Sequence, residues 1–354
     1  MKGTSVTNET APSGIHIDRV TEWMSARIPK LAAPLQFSLI TGGLSNLTYS
    51  VADRDGRRWV LRRPPLGQVL ATAHDMGREF RIMNALQSSA VPVPSLVGFE
   101  SDPSVNDAPF YVMDFVDGTV VRDAEVAQRL GTAERRRASE SLVDVLAAIH
   151  EVDVEAVGLG DLGRHDGYLE RQLKRWYQQY QGSKEQNPAV DLPIVDQVHD
   201  LLAARIPPQQ GTSIVHGDYR LDNCMIGADG SVVAVLDWEI CTLGDPLADL
   251  GLLCVYWTDP GSTPALPQAS PTALDGFMTT AEVCRRYAEV SGRDLSHIDT
   301  YIAFGYWKLT CIMAGVWSRY AAGALGETDQ HQADGFANMV TSLAALTAEA
   351  AEKV

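Results

Sequence analysis

Residues 213–252 constrain this chain more tightly than any other stretch. Within them an Asp229-Gly230 pair lies between two short apolar runs, Cys224-Met225-Ile226 and residues 232–236. An Asp-Gly pair flanked in this way predicts a β-hairpin closed by a tight turn. Counting outward from the turn, Asn223 and Asp237 fall opposite each other at the open end, where facing side chains lie ~5 Å apart. Asp218 arrives just upstream, on the far side of the short loop 219–222. One amide oxygen and two carboxylates would converge there. Hard oxygen ligands of this kind suit Mg²⁺, which takes one or two carboxylates together with water and substrate phosphates. Each acid alone would read as a solvated loop residue, and only the joint spacing singles them out.

The order His216-Gly217-Asp218, four residues, Asn223, then Asp237-Trp238-Glu239 resembles the catalytic and metal segments of the aminoglycoside phosphotransferase family, relatives of the protein kinases. Within that family, Arg62 in the place of the usual phosphate-contacting lysine makes the chain look like the members associated with or fused to acyl-CoA dehydrogenases. The resemblance implies an α+β, bilobal, protein-kinase-like fold. After a polar N-terminal segment and leading helix (1–29) would come a nucleotide-binding N-lobe (30–116), a small antiparallel sheet with one helix. A larger, mainly helical C-lobe (117–354) would carry the catalytic hairpin and the acceptor site. The same resemblance implies ATP and Mg²⁺ as cofactors and transfer of the γ-phosphoryl group to a hydroxyl of a small molecule. Asp218 would be the catalytic base, and Asn223 and Asp237 the metal ligands. Trp-Glu follows Asp237 where protein kinases carry Phe-Gly, which favours small-molecule kinases and makes Glu239 an additional metal-side candidate. Asp249, in Gly244-Asp245-Pro246-Leu247-Ala248-Asp249, takes the role of a brace for the catalytic loop.

The nucleotide side is read the same way. Gly42-Gly43-Leu44-Ser45-Asn46 lies between two strand candidates. Alone it is a plain hairpin, but its place in the chain is similar to the family's nucleotide-positioning loop, with Gly43, Ser45 and Asn46 as phosphate contacts. Residues 57–63 alternate as a strand, Trp59 and Leu61 pointing one way and Val60 and Arg62 the other. Arg62 stands where the kinase pattern has a phosphate-contacting lysine, with Arg63 as a competing candidate, and a planar guanidinium is not an ammonium. Glu79, at the margin of the apolar face of a helix over 75–87, is the expected partner of Arg62. The strand over 109–116 resembles a kinase strand running into the interlobe hinge. That match gives Met113 to the base pocket, and the Asp114 carbonyl and Val116 N–H to the adenine edge.

Charge and composition narrow the partners. With 29 basic against 45 acidic residues the formal net charge is −16, which opposes nucleic-acid binding and suits a neutral or cationic acceptor. Five cysteines form no Cys-x-x-Cys pair, and residues 1–14 lack the apolar core of a secretory signal. Both features fit a cytoplasmic protein. No membrane span is expected: the apolar stretch 301–325 is broken by Lys308 and Arg319, leaving far fewer than the ~20 residues a bilayer needs. Trp307, Lys308, Trp317, Arg319 and Tyr320 are candidates for lining an acceptor pocket, although tryptophans at helical spacing favour core packing, and His150 reads as a cap or core group. An aminoglycoside-like or a hydroxyacyl compound is the expected acceptor. Two other readings stand beside this one. Arginine in the lysine place suits a catalytically weak or inactive nucleotide-binding module, and His216, Asp218 and Asp237 suggest a hydrolytic metal centre that lacks a second histidine at ligand spacing.

Overall fold

The computed structural model describes residues 12–40, 46–67, 75–262, 270–322 and 330–354, the side chains of 330–333 excepted. The chain forms two compact units. One takes in residues up to 87, then 93–117 and 237–239, and the other takes 88–92, 118–236 and 240–354. They are the small sheet-bearing lobe and the mainly helical lobe of a kinase-like α+β chain.

The smaller unit runs α1 (Ile17–Ser25), β1 (Gln36–Leu39), β2 (Leu47–Ala52), β3 (Arg58–Arg63), α2 (Met76–Leu86), β4 (Leu96–Glu100), α3 (Pro103–Asn106) and β5 (Phe110–Asp114). The strands make one antiparallel sheet in the order β1-β2-β3-β5-β4. Its tightest connection is set by Asp53, whose buried carboxylate accepts the N–H groups of Asp55 (3.1 Å) and Arg57 (2.9 Å), while Gly56 takes φ +84° to close the turn. Strand alternation then sends Trp59 and Leu61 into a core shared with Val20, Trp23 and Met24 of α1 and Phe110 and Val112 of β5. The other helix, α2, begins where Asp75 accepts from the Arg78 N–H at 3.0 Å, and it packs on β4 and β5. Met76, Ile82, Met83 and Leu86 are buried as their 3.6-residue period requires. Glu79 differs from the expectation: it is 1% exposed, inside the buried face rather than at its margin.

The larger unit runs α4 (Ala124–Gln128), α5 (Thr132–Glu151), α6 (Tyr168–Gln186), α7 (Pro193–Ala204), β6 (Ser213–Val215), β7 (Cys224–Ile226), β8 (Val232–Val235), β9 (Thr242–Gly244), α8 (Leu247–Tyr256), α9 (Thr280–Ser291), α10 (Ile298–Ala321) and α11 (Gln330–Ala351). α8 is buried at every residue from Leu247 to Val255, against α10, which also carries α6 and α11. Helix ends follow local chemistry. Thr279 and Glu282 form a reciprocal cap at the start of α9, and Gly292 ends it at φ +67°.

β7 and β8 form the expected hairpin, with one correction. Cys224 pairs with Val235, and the Leu236 N–H donates to the Asn223 carbonyl at 2.8 Å, so the residue opposite Asn223 is Leu236. Asp237 lies one residue further on. It leaves the ladder at φ +65°, a left-handed conformation that aspartate tolerates better than most side chains.

Candidate active site

In the larger unit β6 pairs with β9 and delivers residues 216–218. Asp249, on the first turn of α8, fixes this segment through its backbone. Its Oδ2 accepts the His216 N–H at 2.6 Å and its Oδ1 the Gly217 N–H at 2.8 Å. His150 Nε2 lies 3.4 Å from the same carboxylate, with its Nδ1 2.7 Å from the Tyr287 hydroxyl. Burial opposes ionisation of Asp249, but His150, His216 and the Gly217 N–H outweigh it and hold its pKa below the usual carboxylate value. His150 is therefore a buried core group that orients the brace. Gly217 takes φ +87°, which only glycine adopts cheaply, and so turns the chain toward Asp218.

Asp218 itself is held on several sides. Asn223 Nδ2 donates to the Asp218 backbone carbonyl (2.8 Å) and to its Oδ2 (3.0 Å), leaving the Asn223 amide oxygen as its acceptor atom. Arg220 places Nε 3.3 Å from Asp218 Oδ1 and Nη1 2.9 Å from Asp222, with its guanidinium 4.8 Å over the Tyr256 ring. Burial raises the pKa of Asp222, and Arg220 pulls it back. The contacts of Asp218 with Arg220 and of Arg220 with Tyr256 were not among the sequence expectations. His216 is a structural element of the loop, its Nε2 donating to the Leu236 carbonyl at 2.9 Å.

The smaller unit gathers a second set of charges. Arg62, next to last in β3, reaches Glu79 of α2 with Nη1 to Oε1 at 3.2 Å. Its Nη2 lies 2.7 Å from Asp237 Oδ1 and 3.9 Å from Glu239 Oε2. Asn46 Nδ2 donates to that Glu239 oxygen at 3.2 Å. Burial works against the Arg62 charge, but Glu79, Tyr111 and Asp237 reverse the balance and raise its pKa. Burial pushes Glu79 up to about 7, with Arg62 opposing and Asp237 adding to the rise. Arg63, the competing candidate, is turned away: its guanidinium donates to the carbonyls of Pro64 and Gly14.

One guanidinium thus faces three carboxylates, and the surplus negative charge on hard oxygen donors fits a divalent cation such as Mg²⁺. Among the described residues no three or more His, Cys, Asp or Glu side chains form a ready-made metal cluster, so the remaining ligands would come from water and phosphate. At the strand end, Met113 is 7% exposed and pairs with Val60 and Leu96. The Asp114 N–H is taken by the Ser95 carbonyl and the Phe115 N–H by the Arg58 carbonyl, while the Val116 N–H has no backbone partner among the described residues. Gly43 and Ser45 lie outside the described residues. Of the late aromatic candidates, Trp307 is core, its Nε1 donating to the Val195 carbonyl at 2.9 Å, and Tyr320 is buried.

The family model described as "Phosphotransferase enzyme family" matches residues 36–279. Among curated proteins, acyl-CoA dehydrogenase family member 10 of Mus musculus is 33% identical over 316 residues, 88% of this chain and 29% of that protein. Acyl-CoA dehydrogenase family member 11 of Homo sapiens is also 33% identical over 316 residues, 88% of this chain and 39% of that protein. The chain therefore spans well under half the length of these relatives. Among solved structures, a putative aminoglycoside phosphotransferase from Ralstonia eutropha is 32% identical with TM-score 0.80, covering 95% of this chain and 98% of that one. An aminoglycoside phosphotransferase mutant in ternary complex with AMP-PNP and hygromycin B shares the fold at 15% identity and TM-score 0.60, covering 93% of this chain and 98% of that one. With its braced loop, its hairpin and its arginine-centred cluster, the chain belongs to the phosphotransferase enzyme family and is a kinase-like small-molecule phosphotransferase.

Proposed function

We propose that this enzyme transfers the γ-phosphoryl group of ATP to a hydroxyl of a small molecule. The observation that carries the reading is Asp218, held by Asn223 and Arg220 on a loop whose backbone is fixed by Asp249. In that setting Asp218 receives or orients the proton of the attacking hydroxyl, and Arg62 meets the nucleotide phosphates. Asp237 and the Asn223 amide oxygen would hold Mg²⁺, with Glu239 beside them, and the metal would neutralise charge developing on the phosphates. The Asp114 carbonyl and Val116 N–H serve the adenine edge over Met113, with Gly43, Ser45 and Asn46 on the phosphate side. The barrier falls mainly through alignment and charge neutralisation.

The acceptor is aminoglycoside-like or a hydroxyacyl compound. The first is supported by the solved neighbours, one of which is a streptomycin and ATP ternary complex, and the second by the acyl-CoA dehydrogenase relatives. Free cysteines, four of the five buried, suit a cytoplasmic setting, and no helix among the described residues is long and apolar enough to cross a membrane. The test is a panel of hydroxylated metabolites and antibiotics screened for ATP consumption coupled to a mass gain of one phosphate. One observation favours a second reading, a nucleotide-binding module of weak activity: Arg62 sits 2.7 Å from Asp237, on the oxygen a metal would need. ATP- and Mg²⁺-dependent thermal stabilisation without transfer to any member of the panel would select it.

A further inference from the structure

One buried cation of the larger unit has no part in the chemistry above. Lys308, on α10, is 7% exposed, and its Nζ donates to the Gly217 carbonyl at 3.2 Å. Its ammonium lies 5.7 Å from the centre of the Trp176 ring, and among the described residues no carboxylate oxygen comes within ion-pair distance of it. A lysine ammonium buried without a carboxylate partner is costly, so a fold that keeps one gains something else from it. The charged groups facing it are Asp249 of α8, Asp218 of the loop and Arg175 of α6.

The bond lands on a sensitive peptide. Gly217 supplies the carbonyl and Asp218 the N–H of one peptide plane, and that N–H lies 3.4 Å from His216 Nδ1. His216 Nε2 donates to the Leu236 carbonyl, and Nδ1 is the nitrogen that meets the Asp218 N–H. We propose that Lys308 is a positioning residue for phosphoryl transfer: by holding the Gly217 carbonyl while His216 holds the other end of the same peptide, it sets the plane from which the Asp218 carboxylate projects. Asp249 secures the two preceding N–H groups, and Lys308, a donor, holds the Gly217 carbonyl that an acceptor such as Asp249 cannot bond.

Burial lowers the pKa of Lys308 below the ordinary lysine value, Asp249 and Asp218 pull it back up, and Arg175 pushes it down. The protonated amine is the stronger donor, so the fastening weakens as pH rises and turnover acquires an alkaline limb that belongs to Lys308.

This inference rests on Asp218 acting as proposed, and the test separates the two. ADP release with water as acceptor is measured for the wild type, Asp218→Asn, Lys308→Met and Lys308→Gln, alongside calorimetric ATP binding with Mg²⁺ and hydrogen exchange over 216–219. Lys308→Met should lower kcat roughly 10- to 100-fold, the effect of a slightly misplaced reacting group. It should leave the KM for ATP unchanged, speed exchange at residues 216–219 and abolish the alkaline limb. Lys308→Gln, which keeps a donor without the charge, should recover most of the loss at neutral pH. If Asp218→Asn abolishes release while Lys308→Met leaves it intact, the inference about Lys308 fails alone. Equal losses in both Lys308 variants with a raised KM for ATP would reduce Lys308 to structural support and overturn it as well. Should the wild type release no ADP, the exchange measurement decides, and unchanged protection at 216–219 overturns the proposal.

Discussion

In the larger unit the loop that carries Asp218 is fastened through its backbone: Asp249 takes two consecutive N–H groups, Asn223 takes the Asp218 carbonyl, and Lys308 takes the Gly217 carbonyl. In the smaller unit the candidate site residues meet through side chains: one guanidinium among Glu79, Asp237 and Glu239, with the Asn46 amide on Glu239. Backbone hydrogen bonds to a carboxylate that stays ionised persist over a wide pH range, whereas an ion cluster rearranges whenever a proton, metal or phosphate enters it. The loop is therefore built to keep one geometry, whereas the cluster is free to exchange partners.

Four variants break or sharpen that contrast. Asp218→Asn should lower turnover ~10²–10⁴-fold, the usual worth of a positioned base, with nucleotide affinity by calorimetry nearly unchanged. Wild-type turnover would remove Asp218 from the chemistry. Asp249→Asn replaces one accepting oxygen by an N–H donor against a backbone N–H and should cost about 1–3 kcal/mol of stability, read by denaturant unfolding. A neutral result would mean that the loop is not held as described. Asp237→Asn should weaken ATP binding roughly tenfold when Mg²⁺ is present and little when it is absent, about the 1.4 kcal/mol of one decade. Equal weakening in both arms would show that Asp237 serves Arg62 alone.

The smallest effect concerns pH. Folded Glu79 titrates near 7 against 4.5 for an ordinary glutamate, so between those values the folded state holds the extra proton. Its contribution to stability is present at low pH, declines as pH rises from 4.5 and is lost through about 7. Glu79→Gln should flatten that slope, measured as Tm against pH, and an unaltered slope would place the proton elsewhere.

The parts of the candidate site that are local in the chain are legible in the sequence. The turn at Asp229-Gly230 and the spacing from His216 to Asp237 lie in one continuous stretch around the β7–β8 hairpin, so they are legible as a local pattern. The exact facing partner differs by one residue from the expectation: counting outward from the turn reaches Leu236, and the pairing of Cys224 with Val235 keeps that register in spite of a bulge between Met225 and Ile226. Burial of Glu79 was missed because its charge argued for the helix margin, whereas Arg62 draws it in. The stacking of Arg220 on Tyr256 and the reach of Lys308 to Gly217 join positions far apart in sequence and carry no periodic signal. β9 and α11 were likewise not anticipated. The three residues of β9 are too few to show an alternation, and α11 bears none of the motifs.

The smaller unit takes three of its residues, 237–239, from a point well past the start of the larger one. A ribosome that has released only the first 117 residues has made Arg62 and Glu79 but neither Asp237 nor Glu239, so the arginine must wait for more than a hundred further residues to be synthesised. Any excised fragment ending there would carry the five-stranded sheet with its charge pattern half written, and swapping lobes between relatives would require moving this short segment along with the sheet.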